Sequence, residues 1–180
     1  MILHMKKLLS FLFTGVAAIM MSPAFAQGGL GLQAVPAALE GVEYVGKARP
    51  KDDAKVYFIY KSRYACSICV AEMPSINKTY RKMKGRGVEI VMINLDKDVA
   101  TAENWMKKAK IKFPMVAPGQ RTDIPFPFDY TQAGLLPHAV AVTADGELLG
   151  QASGGEVSEF FDDNWRKFVA KVRKEERKKK

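Results

Sequence analysis

The chain has 180 residues, of which 48% are hydrophobic, 26% charged and 10% aromatic. This composition is typical of a globular protein and excludes a wholly disordered chain, a collagen-like chain and a protein with many membrane spans. The length fits one domain, the formal net charge is +9, and the two cysteines are too few for a framework of several disulfides.

The first 26 residues have the three parts of a secretory signal peptide. Lys6 and Lys7 supply a positive region, residues 8–21 form an apolar run, and Ala24–Ala26 is an A-x-A cleavage site. The run is shorter than the roughly 20 residues that span a bilayer. We therefore predict a signal peptide over residues 1–26, with an uncleaved anchor as the alternative. An exported chain of this kind is expected in the periplasm, an oxidising compartment.

The remaining chain alternates between strands and helices. Residues 27–39 begin with a run rich in Gly and Gln and are predicted to be flexible. Apolar and β-branched runs predict strands over residues 42–45, 55–60, 89–95, 113–116, 138–143 and 147–152. Apolar positions at steps of three and four predict helices over residues 66–84, 98–110 and 157–172.

The order of these elements predicts the fold class. Strands linked by helices, followed by a hairpin through Asp145-Gly146, give a mixed sheet with helices on both faces. A loop rich in Pro and Phe, residues 117–129, precedes the hairpin. The prediction is one α/β domain over residues 40–172.

The two cysteines carry the clearest chemical signal. Cys66-Ser67-Ile68-Cys69 follows a buried strand and opens a helix, where unpaired backbone N–H groups and the helix dipole favour a thiolate. We predict that Cys66 is a nucleophile with a lowered pKa and that Cys69, one turn later, resolves the mixed disulfide. A purely structural disulfide across so short a loop would remove little chain entropy.

Two other functions remain open from the residues alone. The first is a Cu(I) metallochaperone that uses both cysteines and His138, because soft thiolates suit Cu(I). The second is a redox-silent interaction protein that uses the loop 117–129 and the basic tail. A zinc site is disfavoured because zinc needs about four ligands, so we predict no metal and no cofactor.

The net charge is concentrated at the C-terminus. Residues 166–180 hold nine basic and two acidic residues, whereas residues 27–165 hold 17 of each. A neutral body does not support a nucleic-acid partner. The basic tail, residues 173–180, is interpreted as a solubilising helix end, with weak contact to an anionic membrane surface as the alternative.

The mature chain resembles the thioredoxin-fold superfamily, and most of all the exported TlpA/ResA-like thiol-disulfide oxidoreductases. The resemblance covers residues 40–172. The specific motifs are the string C-x-x-C-x-A-E-M-P at residues 66–74 and the Leu-Pro pair at residues 136–137. It implies a thioredoxin-like three-layer α/β/α sandwich with a mixed sheet, a helical insert at residues 98–110 and a kink at Pro74.

The resemblance also implies partners. The substrates would be protein thiols and disulfides, and a membrane thiol donor would recharge the cysteine pair. It favours a monomeric reductase, for example of apocytochrome c cysteines before haem attachment. The family usually has Trp where this chain has Ala65, and the dipeptide Ser67-Ile68 lacks histidine, so we expect a less oxidising pair.

The resemblance assigns roles to residues outside the motif. Pro137 would be a cis-proline facing the cysteine pair. Asp96 is the predicted proton acceptor, because one position where relatives carry a buried acid is Tyr60 here and the other falls near Asp96. Ser67 and His138 are predicted modulators, and His138 is also a candidate for titration beside the pair.

Overall fold

A computed structural model of the protein describes residues 34–120 and 135–180. The predicted signal peptide, residues 27–33 of the flexible segment and residues 121–129 of the predicted loop lie outside these described residues. Within them, no helix is both long and apolar enough to cross a bilayer.

The described residues form six strands, four α-helices and one 3₁₀ turn. In chain order they are α1 Val35–Ala38, β1 Tyr44–Val45, β2 Val56–Ser62, α2 Ser67–Met83, β3 Val88–Asn94, α3 Val99–Ala109, β4 Met115–Val116, β5 His138–Thr143, β6 Leu148–Ser153, the 3₁₀ turn Gly154–Glu156 and α4 Val157–Lys178. The strands form one sheet in the order β1-β4-β3-β2-β5-β6.

The sheet is mixed, as the order of elements predicted. β3 is parallel to β2 and β4, whereas β5 is antiparallel to β2, and β6 pairs antiparallel with β5. All seven residues of β2 and all seven of β3 are buried. A strand that is covered on both faces has a nearly continuous apolar sequence, which explains why apolar and polar residues do not alternate in these two strands.

Two apolar cores lie on opposite faces of this sheet, because successive strand side chains point to opposite sides. Phe58 and Tyr60 of β2 belong to the larger core, to which α2, α3 and α4 contribute buried side chains. Tyr57 and Ile59 belong to the smaller core, which includes Val35 and its neighbours in α1. The predicted thioredoxin-like α/β class with helices on both faces is confirmed.

Two boundaries differ from the sequence prediction. Val35 and Leu39 are 2% and 6% exposed, so residues 35–39 are packed against the smaller core rather than flexible. A four-residue helix is too short to show apolar periodicity, which is why the sequence did not predict it. At the other end, α4 continues to Lys178, so most of the predicted tail 173–180 is the last part of this helix.

The central strands position the site at one edge of the sheet. β2 ends at Ser62 and α2 begins at Ser67, so the connection is a tight four-residue turn. β5 runs antiparallel to β2 and starts at His138, which pairs with Lys61. The end of β2, the start of α2 and the start of β5 therefore meet at the same edge.

Candidate active site

The two cysteines form a disulfide at the N-terminus of α2. Cys66 is the N-cap of the helix, and its Sγ accepts a hydrogen bond of 3.1 Å from the backbone N–H of Cys69. Their Cα atoms are 5.2 Å apart. The helix terminus thus supplies a donor aimed at the Cys66 sulfur, the arrangement that stabilises a thiolate there after reduction.

The two sulfurs differ in access to solvent. Cys69 is 0% exposed and packs in the larger core, whereas Cys66 is only partly buried. Ile68, which lies between the two cysteines in sequence, is an apolar side chain that is 46% exposed. An incoming substrate therefore reaches Cys66 first, across a partly apolar surface.

Pro137 lies at the sheet edge where β2 ends. The Leu136–Pro137 peptide is cis, the configuration that the resemblance implies. Pro137 is buried, and its carbonyl accepts a hydrogen bond of 2.8 Å from Gly154 N. This bond fixes the turn into β5 to the start of the 3₁₀ turn.

Asp96 is placed against the loop that precedes Cys66. One carboxylate oxygen accepts a hydrogen bond from Tyr64 N at 2.9 Å, and the other accepts one from Asn94 Nδ2 at 2.9 Å. The backbone of Asp96 in turn donates to Asn94 Oδ1 at 2.8 Å. Asp96 thus fixes the backbone at Tyr64, two residues before Cys66, by a hydrogen bond. Its role as proton acceptor stays a prediction.

His138 lies on the other face of the sheet from Cys69. It alternates with Val140 and Val142, which belong to the smaller core, whereas Cys69 packs in the larger one. Burial, together with the positive charge of Lys61, lowers the pKa of His138. The structure does not bring this imidazole onto the cysteine face, so the copper ligand set of Cys66, Cys69 and His138 gains no support.

A buried acid that the sequence reasoning did not single out lies on α2. Glu72 is 8% exposed, and its carboxylate accepts hydrogen bonds from Ser158 N at 3.1 Å and from Ser158 Oγ at 3.4 Å. Burial raises the pKa of Glu72, and the bonds from Ser158 oppose that rise. Glu72 follows Cys69 by three residues, a spacing that places both on one helix face.

Tyr60 occupies the position where some relatives carry a buried acid. It is 0% exposed, and its hydroxyl accepts a hydrogen bond of 3.0 Å from Ser62. Burial raises its pKa, and the charge of Glu72 adds to the rise. Tyr60 and Cys69 belong to the same apolar core.

Among residues 34–120 and 135–180, no group of three or more His, Cys, Asp and Glu side chains is arranged to hold a metal ion. Ser67 is exposed between the two cysteines, and a modulating role for it stays a prediction.

Comparisons with known sequences identify related proteins. A model of the AhpC/TSA family matches residues 43–123. A thiol-disulfide oxidoreductase ResA of Bacillus cereus is 32% identical over 94 residues, 52% of this chain and 52% of that protein. A ResA of Halalkalibacterium halodurans is 26% identical over 134 residues, 74% of this chain and 73% of that protein. The chain spans about half the length of most of the curated relatives it matches.

Solved structures share the architecture. A thioredoxin family thiol:disulfide interchange protein from Chlorobium tepidum TLS superposes with a TM-score of 0.56 at 20% identity, covering 66% of this chain and 82% of that one. The thioredoxin domain of a thiol-disulfide oxidoreductase from Bacteroides vulgatus gives 0.53 at 21% identity, covering 66% and 81%. At these identities the likeness shows the fold alone. The chain therefore has a thioredoxin-like fold and is similar in sequence to the thiol-disulfide oxidoreductases named ResA.

Proposed function

We propose that the protein is an exported thiol-disulfide oxidoreductase that exchanges the Cys66–Cys69 dithiol and disulfide with partner proteins. The observation that carries the proposal is the position of Cys66 as the cap of α2, with a backbone N–H donated to its sulfur. The names of the ResA relatives support the same activity. The burial of Cys69 and the exposure of Cys66 give the two sulfurs different roles.

The reaction follows from this asymmetry. In the reduced protein the Cys66 thiolate attacks one sulfur of a substrate disulfide, the substrate S–S bond breaks, and one substrate thiolate leaves. Cys69 then loses its proton and attacks the Cys66 sulfur of the mixed disulfide. The second substrate thiolate leaves, so the substrate gains two electrons and the protein retains a Cys66–Cys69 disulfide.

The buried sulfur needs a proton acceptor for the second step. Glu72 suits this role because it shares the helix face of Cys69 and because burial raises its pKa toward that of a thiol. Asp96, the acceptor predicted from the sequence, instead bonds the backbone before Cys66. We assign the proton transfer to Glu72 and the positioning of the loop to Asp96.

The direction and the partners are extensions of this proposal. The resemblance supports a monomeric reductase of protein disulfides in the periplasm, with apocytochrome c cysteines as one substrate class. A membrane thiol donor would recharge the pair, since an oxidising compartment does not keep thiols reduced by itself. The basic end of α4 would add weak contact with anionic lipid headgroups.

Two measurements test the proposal. The first is the rate at which the mature protein reduces a protein disulfide, and the second is the equilibrium reduction potential of the Cys66–Cys69 pair. We expect Cys66→Ser to remove activity and Cys69→Ser to accumulate a mixed disulfide that mass spectrometry detects. Ser75→Ala, an exposed change on the same helix, is the control and should retain wild-type activity. Wild-type activity in Cys66→Ser would overturn the assignment, and a potential near that of strong oxidants would overturn the reductive direction.

A further inference from the structure

A cavity lies between α2 and α3, next to the disulfide. Its volume is about 530 Å³, and its walls include Tyr64 from the loop before Cys66 and Val70, which directly follows Cys69. Val70 is 38% exposed. A substrate segment that places its sulfur on Cys66 therefore runs close to the mouth of this cavity.

The cavity wall carries positive charge. Arg81 of α2, Lys108 of α3 and Lys110 just beyond α3 line it, and its walls contain no acidic side chain among the described residues. Lys108 Nζ lies 3.4 Å from the Tyr64 hydroxyl and 5.6 Å from the centre of the Tyr64 ring. In the part of the chain that the structure describes, none of these three cations takes part in a salt bridge.

Two buried polar atoms belong to residues of the same wall. Trp105 is 0% exposed and Asn77 is 9% exposed. The indole N–H of Trp105 and the Oδ1 of Asn77 have no hydrogen-bond partner among residues 34–120 and 135–180, although Asn77 Nδ2 donates to Ala109 O at 2.8 Å. Both atoms are enclosed within the protein, so the surface that a ligand meets in the cavity includes Tyr64, Val70 and the three cations instead.

These features select one kind of occupant. A carboxylate is attracted by the three cations and can accept hydrogen bonds from them. An acidic residue in an extended peptide presents such a carboxylate at the end of a short apolar stem. The partly exposed Tyr64, which packs on the buried Trp105 with the two rings 6.2 Å apart, covers the apolar part of such a side chain.

We propose that this cavity is a substrate subsite that takes an Asp or Glu side chain near the reacting cysteine of the partner protein. The inference rests on the proposed function and narrows its substrates to protein segments with an acidic residue beside the cysteine. Arg81 and Lys108 set the preference for charge.

The test uses pairs of disulfide peptides that differ only by Glu or Gln at each position flanking the cysteine. We expect the wild-type protein to favour the Glu peptide by roughly fivefold or more in kcat/KM at one of these positions. The preference should fall in Arg81→Gln and in Lys108→Gln. An equal rate for Glu and Gln peptides at every position would overturn the proposal.

A matched control separates local charge from the charge of the whole protein. Lys167→Gln removes one exposed positive charge on α4, outside the cavity. It should keep the wild-type preference, and an equal loss in Lys167→Gln and Lys108→Gln would overturn the subsite. The variant also checks that the preference is not a general effect of net charge.

Two further measurements distinguish this proposal from the proposed function. Reduction of the small neutral disulfide bis(2-hydroxyethyl) disulfide reports the cysteine chemistry alone, and its absence would overturn the function. Binding of Ser-for-Cys versions of the peptides reports the subsite alone. Tighter binding of the Glu peptide supports the subsite even if the cysteine pair does not turn over, and equal binding of both peptides contradicts it.

Discussion

At the scale of single residues, Glu72 joins α2, the helix that begins at the cysteine pair, to the start of α4. Its carboxylate accepts two hydrogen bonds from Ser158, at the start of α4, while its position on α2 follows Cys69 by three residues. Burial raises the pKa of Glu72. A carboxyl whose pKa is raised in this way can accept a proton from a buried thiol and release it to solvent at the pH at which the exchange reaction takes place.

We predict that Glu72→Gln slows reduction of a protein disulfide by about tenfold or more at neutral pH, because the glutamine cannot accept a proton. In the wild-type protein the rate should rise with pH as Glu72 ionises, at a pH above the ordinary range for glutamate. The glutamine variant should lose this limb of the pH profile, which is measured from the rate of mixed-disulfide resolution.

Asp96→Asn is the matched control, since it also exchanges an acid near the cysteine pair for its amide. The asparagine side chain retains an oxygen that can accept the hydrogen bond from Tyr64 N, so we expect the acidic limb to survive. Loss of the limb in Asp96→Asn, with its retention in Glu72→Gln, would return the proton transfer to Asp96.

The residues show why the site was only partly predictable. Cys66 and Cys69 are neighbours in sequence, so their roles follow from spacing and from the start of a helix. The burial of Glu72 depends on Ser158, and the bond from Tyr64 to Asp96 crosses 32 residues. Contacts over such distances leave no local pattern, so the sequence predicted an acid near the pair and selected Asp96.

At the scale of elements, β6 and α4 meet through an aromatic cluster. Phe58 of β2 lies 5.7 Å from the Phe160 ring and 6.2 Å from the Phe168 ring. Gly150 of β6 faces both α4 rings, and a methyl group there would come within 3.2 Å of Phe168 and 3.3 Å of Phe160. The rings pack on one another as well as on β2, so they have little room to move.

We predict that Gly150→Ala lowers the free energy of unfolding by about 1 kcal/mol or more, because the added methyl overpacks this contact. The measurement is urea unfolding followed by circular dichroism. Gly155→Ala is the control, since its methyl would meet nothing within 4 Å. Equal stability of the two variants would contradict the prediction, because it would show that the Phe160 and Phe168 rings move aside without cost.

The elements that the sequence predicted best are those with a strong pattern of their own. β5 was predicted with its observed limits, and β2, β3 and α2 were predicted to within two residues. β1 was predicted from residue 42, but only Tyr44 and Val45 pair, with Val116 and Met115 of the two-residue strand β4. The length of β1 is therefore set by the short strand β4 with which it pairs rather than by the residues of β1 itself.

At the scale of the whole molecule, buried carboxyls make stability depend on pH. Glu89 is 2% exposed in the middle strand β3, and burial raises its pKa against the opposing effects of Tyr80, Ile90 N and two lysines. The folded protein therefore holds this proton more tightly than the unfolded chain. Its contribution to stability is greatest below the ordinary glutamate pKa and is lost as pH rises through the raised value.

We predict that Glu89→Gln, which cannot ionise, becomes more stable relative to wild type as pH rises from about 4 to about 8. Comparing the two proteins across pH removes the constant effect of the altered hydrogen bonds. Urea unfolding at several pH values measures the difference. Glu103→Gln, at the exposed surface of α3, should follow the wild-type pH dependence, and a parallel Glu89→Gln curve would contradict the prediction.

Because the two sulfurs are unequally buried, the number of cysteines that can be alkylated depends on both redox state and folding. After reduction, a thiol-alkylating reagent reaches Cys66 in the folded protein, whereas Cys69 is enclosed by the core until the chain unfolds. Mass spectrometry should therefore find no label on the oxidised protein, one label on the reduced folded protein and two on the reduced unfolded chain. A single mass measurement after alkylation thus reports the redox state and, for the reduced protein, whether it is folded.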